Sequence, residues 1–167
     1  MTTVLVPYTA EKLHPDTLRL IDEHVPAGVD VVWHELDPGD PTAYARLLVE
    51  AWTWDGDLVV VEHDIGIHAG VIDGFTWCRQ PWCGHPYAIG DQLLVCLGCT
   101  RFTAHLKASL PDLMARAAAV EQDGGLVPAG DWRRMDVRIA ALLEAHGHWR
   151  HPHEPEVQHF HQYPSGG

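Results

Sequence analysis

Leu58-Val-Val-Val-Glu-His-Asp64 is the stretch whose reading decides the fold. An apolar run of strand length reads as a strand buried on both faces. It ends abruptly in Glu62 and Asp64, two carboxylates placed two residues apart with His63 between them. In open α/β sheets, ligands gather at the carboxyl ends of such strands. If strand geometry persists to the end of the run, residues i and i+2 point to the same side. Both carboxylates then face one hard cation such as Mg²⁺ or Mn²⁺. The competing reading is that the same residues merely begin a solvated loop.

Outward from this run, strands and helices alternate through the first half of the chain. Thr3-Val-Leu-Val6 reads as a first strand stopped by Pro7-Tyr8-Thr9, and Pro15 to about His24 has helical spacing through Leu18 and Ile21. Val29-Asp-Val-Val-Trp33 gives a second strand. Asp40-Pro41 is a helix start, an Asp at the cap and a Pro at the first helical position, leading into Thr42 to Trp52. The third strand is Asp57 to Val61. This β-α-β-α-β order, with crossovers of a dozen or more residues, predicts an α/β fold: a single domain with a mostly parallel central sheet flanked by helices.

The second half is less regular. Residues 66–91, rich in Gly, Pro, Trp and Cys, read as a long ordered loop region with short elements. A further strand is expected at Leu93–Leu97 and helices from about Thr103 to Ser109 and from Pro111 to Val120. A last helix, capped by Asp131, runs through Val137, Ile139 and Leu143 until Gly147 stops it. The tail is rich in histidine. Read as a short strand, Val157, His159 and His161 face one side, and the histidines reach a shared metal; read otherwise, they are inert surface groups or adventitious ligands for transition metals.

Composition limits the function classes. The 167 residues are 46% hydrophobic and 20% charged, as in one globular domain with a sizeable core. A net charge of -12 with only 11 Lys and Arg makes nucleic acid an unfavoured partner. No segment approaches the ~20 apolar residues of a membrane span, and the start of the chain lacks a basic signal-peptide region. The expectation is a cytoplasmic protein whose thiols stay reduced. Its cysteines, Cys78, Cys83, Cys96 and Cys99, are spaced C-x4-C-x12-C-x2-C, loosely compatible with structural zinc. Alternatively, Cys96 is simply a small hydrophobe in a strand. Neither G-x-G-x-x-G after the first strand nor G-x-x-x-x-G-K-[ST] occurs, so classical dinucleotide and P-loop chemistry is not expected, and no H-E-x-x-H or nucleophile elbow points to a hydrolase.

Val4-Leu-Val-Pro-Tyr-Thr9, Val59-Val-Val-Glu-His-Asp64, Trp132-x-x-x-Asp136 and Pro155-Glu-Val-Gln-His159, taken in order, resemble a compact glycosyltransferase of the GT-A fold, of the small phage and actinobacterial type. The resemblance covers most of the chain. It implies a nucleotide-diphosphate sugar lying over the carboxyl ends of the first strands, at Pro7, Tyr8, Thr9, Glu35 and Asp37, with the sugar passed to an unknown acceptor. It further implies a divalent cation, Mn²⁺ or Mg²⁺, in the place of an acidic D-x-D-type motif. Asp64 and Glu62 match that motif, and His159, or its neighbour His161, would complete the metal site. Asp136 is implied as the general base of an inverting transfer. Residues 1–65 then form the nucleotide-binding half and 66–167 the acceptor-side half with its His-rich tail.

Two departures from the family pattern stand out. The first motif acid is Glu62 rather than Asp, one methylene longer, which favours Asp64 for the metal and leaves Glu62 to the ribose or a supporting place. The chain is also short for the fold, so acceptor binding would be minimal, lost or supplied by a partner. Tyr8 offers a face for a nucleobase, Glu35 and Asp37 can accept hydrogen bonds from base or ribose, and Arg101 can neutralise phosphate. Each of these has a plain reading as a loop or solvated residue. The alternative at the level of function is a non-enzymatic binding or regulatory protein that keeps the fold and holds structural zinc with Cys and His.

Overall fold

The computed structural model describes residues 1–89, 91–94, 97–122, 125–128 and 134–160. Within them the chain runs β1 (Thr2–Tyr8), α1 (Pro15–His24), β2 (Asp30–Glu35), α2 (Ala43–Trp52), β3 (Asp57–Val61), β4 (Ile65–Gly66) and α3 (Val71–Trp77). It continues through β5 (Trp82–Gly84), β6 (Tyr87–Ile89), β7 (Gln92–Leu94), β8 (Cys99–Phe102), α4 (Ala104–Ser109), α5 (Leu113–Ala117), β9 (Ala119–Gln122) and β10 (Gly125–Pro128). The last elements are α6 (Met135–Ala145), β11 (His151–Pro152) and β12 (Gln158–His159).

A six-stranded sheet in the order β11-β5-β8-β3-β1-β2 forms the centre. β1 pairs in parallel with β2 and β3, β11 pairs in parallel with β5, and β8 alone runs against its two neighbours. This is a single α/β domain with a mostly parallel sheet between helices. The apolar run in β3 shows why. Leu58 and Val60 enter one core with Leu48, Met114 and Ile139 from α2, α5 and α6. Val59 and Val61 enter the opposite core with Ile21, Val71 and Phe75 from α1 and α3. A strand with both faces in a core carries no polar alternation.

The first half follows the sequence closely, and the differences lie at element ends and beyond residue 65. Asp40 does not cap α2 directly; its carboxylate accepts from the amide and hydroxyl of Thr42, at 2.8 and 2.7 Å, and the helix starts at Ala43. The expected loop region contains α3 and β5. The strand expected at Leu93–Leu97 is divided: among the described residues β7 pairs only with β6, and the sheet strand is β8. Polar Thr100 and Arg101 within β8 hide it from a hydrophobic pattern, yet both are buried. Residues 111–120 hold the short α5, followed by β9 rather than more helix. Asp131 and Trp132 lie outside the described residues.

Candidate active site at the strand ends

The parallel register brings three strand ends side by side. Tyr8 lies opposite Glu35, and Leu5 opposite Val60, so the segments after β1, β2 and β3 share one end of the sheet. Strand geometry does not persist through Glu62-His63-Asp64. The Ile65 amide donates to the Glu62 carbonyl at 3.1 Å, closing a tight turn, and the two carboxylates take different partners.

Glu62 accepts a hydrogen bond from the Tyr44 hydroxyl on α2, 2.7 Å from Oε1, while its amide donates to the Gly98 carbonyl at 2.9 Å. Burial pushes the Glu62 carboxyl up to about 7; the Tyr44 hydrogen bond opposes this, and the charges of Asp64 and Asp136 add to it. Tyr44 is itself driven well above the ordinary phenol range, first by burial and then by Glu62. Asp136, in the first turn of α6, is close enough for its charge to act on both groups, and its Oδ1 accepts from the Val137 amide at 2.8 Å.

Asp64 takes other partners. Its Oδ2 lies 3.2 Å from Nε2 of His159 and 4.0 Å from Nε2 of His63. Burial pushes its carboxyl up, but the His159 hydrogen bond and the two imidazoles outweigh it and hold the group below its usual value. His63 is depressed mainly by burial.

His159 arrives by pairing of β12 with β4, which sets His159 opposite Ile65 and Gln158 opposite Gly66. The Phe160 amide donates to the Asp64 carbonyl at 2.7 Å, and the Phe160 ring stacks on His14 at 4.2 Å between centroids. Tyr87 packs on the His159 ring at 5.0 Å. Two glycines permit this. A Cβ on Gly66 would come within 2.7 Å of the Phe160 ring, and one on Gly98 within 2.6 Å of Tyr87.

Of the other residues singled out from sequence, Pro7 and Tyr8 do not stop β1 but form its last two residues, paired with His34 and Glu35, and Thr9 follows them at the same end. Tyr8 meets Trp33 edge to face, with centroids 6.2 Å apart. Beside them opens a cavity of about 620 Å³ lined by Tyr8, Leu13, Ile21, Val31 and Trp33, among others. Glu35 is exposed at the end of β2, and exposed Asp37 accepts from the Gly39 amide at 2.8 Å. Arg101 is not brought to the strand ends. Its guanidinium binds Asp57 Oδ2 through Nε and Nη2, at 2.9 and 2.7 Å, and the Cys78 carbonyl through Nη1 at 2.9 Å. Asp57 begins β3 whereas Glu62 follows it, so Arg101 serves a buried ion pair by the opposite end of the strand. His161 lies outside the described residues.

Tyr44 was not singled out by sequence reasoning, and His63 entered it only as the residue between the two carboxylates. Tyr44 carries no local signal, because its partner is reached only when α2 packs on the sheet. His63 could have been weighed from its place inside the acidic triplet. Exposed Lys12, whose charge bears on His63, is a cation at the edge of the site that no motif marks.

The cysteines divide. Cys78 and Cys83 lie together with His153, forming a Cys/His cluster; Cys99 stays buried in the core, and Cys96 lies outside the described residues. Burial, then the neighbouring Cys78, pushes the Cys83 thiol up to about 12. Among the described residues no helix is long and apolar enough to cross a membrane.

No family model and no curated protein matches the sequence. Solved structures do match in fold. A glycosyltransferase involved in the glycosylation of the major capsid of PBCV-1 aligns over 97% of this chain and 94% of its own, with a TM-score of 0.59 at 10% identity. The protein A197 from STIV aligns over 96% of this chain and 86% of its own, with a TM-score of 0.53 at 10% identity. The fold is thus GT-A-like.

Proposed function

We propose that the chain binds a nucleotide-diphosphate sugar across the ends of β1, β2 and β3 with Mn²⁺ or Mg²⁺, and transfers the sugar to an acceptor hydroxyl. The observation that carries this reading is the approach of His159 Nε2 to within 3.2 Å of Asp64 Oδ2 at the end of a buried parallel strand. Two ligands each about 2.1 Å from an octahedral ion stand roughly 3 Å apart, so the pair has the spacing of adjacent ligands. Carboxylate oxygen with a single imidazole suits Mn²⁺, and Mg²⁺ with more water in its shell. A bound cation would supply charge stabilisation for the departing diphosphate.

The chain's own residues take the remaining roles. Asp64 and His159 hold the cation; His161, two residues on, is the substitute proposed from the sequence. Glu62, tied to Tyr44, sits beside them as a group that ionises near neutrality and adds negative charge when it does. Tyr8 and the cavity beside Trp33 suit a nucleobase, with Glu35 and Asp37 as acceptors for base or ribose and Lys12 as a cation for phosphate. Residues 66–167 would supply the acceptor side.

In an inverting transfer the acceptor oxygen bonds the anomeric carbon as the carbon–oxygen bond to the diphosphate breaks. The bonding electrons leave on the phosphate oxygen, and Asp136 takes the hydroxyl proton. The partial burial of Asp136 and its electrostatic contact with Glu62 support that placement.

Calorimetric titration with Mn²⁺ and a panel of uridine-, guanosine- and thymidine-diphosphate sugars tests the reading. Metal-dependent binding by wild type and its loss in Asp64→Ala are expected. Equal binding by both proteins would overturn it. Binding without turnover of any acceptor would leave a nucleotide-sugar-binding protein, the non-enzymatic alternative.

A further inference from the structure

The Cys/His cluster belongs to no step of that reaction. Each of its residues offers one ligand atom, and the three atoms all lie within 4.8 Å of one another. They arrive from three elements: Cys78 caps the end of α3, Cys83 is in β5, and His153 follows β11. Cys83 is wholly buried and the other two are partly so. Neither thiol is in a disulfide. His153 Nε2 is buried and has no hydrogen-bond partner, which is costly for a polar atom unless something meets it.

We propose that Cys78, Cys83 and His153 hold a zinc ion that clasps the segment from His151 to His159 against α3 and β5. The ligand set selects the metal, since two sulfurs and an imidazole favour zinc over the hard cations that carboxylates take. The spacing suits it as well. Tetrahedral zinc keeps such ligand atoms about 3.5–3.8 Å apart, a distance the side chains reach by small rotations. Arg101 supports the site from behind: its guanidinium hydrogen-bonds the Cys83 sulfur and the Cys78 carbonyl, and a donor to a thiolate steadies a zinc ligand. Asp57 balances the Arg101 charge.

The clasp has a mechanical use. β11 pairs with β5 through only two residues, His151 with Cys83 and Pro152 with Gly84, helped by the His153 amide donating to the Gly84 carbonyl at 2.9 Å. A zinc ion would tie this weak pairing at the base of the strap that delivers His159. The two metal sites would then be sorted by chemistry, soft thiolates at the base of the strap and the hard Asp64 carboxylate at its tip. This inference stands apart from sugar transfer and holds with or without it.

The test is metal analysis of the full chain, purified under reducing conditions without chelator or added metal. About one zinc per chain is expected, held by the three protein ligands with the fourth tetrahedral position left to water. Cys78→Ser and His153→Ala should lose it, whereas Cys99→Ala and Asp64→Ala should keep it. Exchange into cobalt needs no variant: wild type should show intense sulfur-to-cobalt charge-transfer absorption even if the substituted chains fail to fold. Three results would each overturn the proposal: wild type with neither zinc nor the cobalt band, zinc retained in Cys78→Ser, or peptide mapping that finds Cys78 and Cys83 joined as a disulfide. Loss of nucleotide-sugar binding with zinc intact would count only against the transferase reading.

Discussion

The Tyr44 hydroxyl donates to Glu62 Oε1 at 2.7 Å, so a buried helix residue holds the carboxylate that follows the third parallel strand. The folded Glu62 carboxyl titrates near 7 against an ordinary 4.5, and the folded state therefore keeps its proton longer than the unfolded state. The stability this lends is complete below about pH 4.5 and is lost as pH rises through about 7. Glu62→Gln, which mimics the protonated form, should match wild type near pH 4. By pH 8.5 it should exceed wild type by about 1–3 kcal/mol. Urea denaturation at the two pH values checks this, and a constant difference between the proteins would refute it.

Removal of the His159 imidazole should act on Asp64 directly. In His159→Ala the Asp64 carboxyl should titrate higher, since its principal hydrogen bond is gone. Mn²⁺ affinity should fall at least about tenfold, or ~1.4 kcal/mol. Carboxyl-carbon NMR follows the first change and calorimetry the second. An unmoved Asp64 titration would show that the 3.2 Å contact contributes nothing in solution.

Gly66→Ala would press a methyl group against the Phe160 ring, at 2.7 Å, and against Leu20, at 3.0 Å. The ring is also stacked on His14, so its retreat costs that contact. A loss of about 1–3 kcal/mol is expected from overpacking, together with weaker Mn²⁺ binding as the strap shifts. Denaturation and metal titration on the same preparation check both, and neutral behaviour in either one separates packing from site geometry.

Asp57→Ala isolates the buried ion pair at the start of β3. It strands the Arg101 guanidinium, whose side chain is only 8% exposed, and frees the Ala104 amide that Asp57 Oδ1 accepts from at 2.8 Å. A cost of about 3–5 kcal/mol follows from leaving a buried charge unpaired. At temperatures where the variant remains folded, nucleotide-sugar affinity should equal that of wild type. A specific loss of affinity would return Arg101 to the binding site.

The first half of the fold was readable because its signals are local. Pro15–His24 and Asp57–Val61 follow from helical spacing and from an apolar run, and the alternation of strand and helix implies a parallel sheet. β8 was obscured because Arg101, usually a surface residue, is buried there by Asp57, a partner from another strand. At the site, Asp64 and His159 were joined by the family resemblance and their order, and the fold brings the two side chains together. The turn that parts Glu62 from Asp64, the Tyr44 contact and the pairing of two cysteines with His153 all arise from packing between distant segments. Spacing in the chain marks Cys78 and Cys83 as zinc candidates but carries no trace of His153 beside them, of the turn or of the Tyr44 contact.

The pairing of β12 with β4 has a consequence for synthesis. β1, β2 and β3 leave the ribosome first and can assemble the acidic turn while the strap is still untranslated. The imidazole that meets Asp64 arrives only when Gln158–His159 lies down beside Ile65–Gly66. A nascent or clipped chain therefore has the carboxylate without its partner. If Asp64 and His159 hold Mn²⁺ as proposed, retention on a Mn²⁺ column would separate chains in which β12 has paired with β4 from those in which it has not.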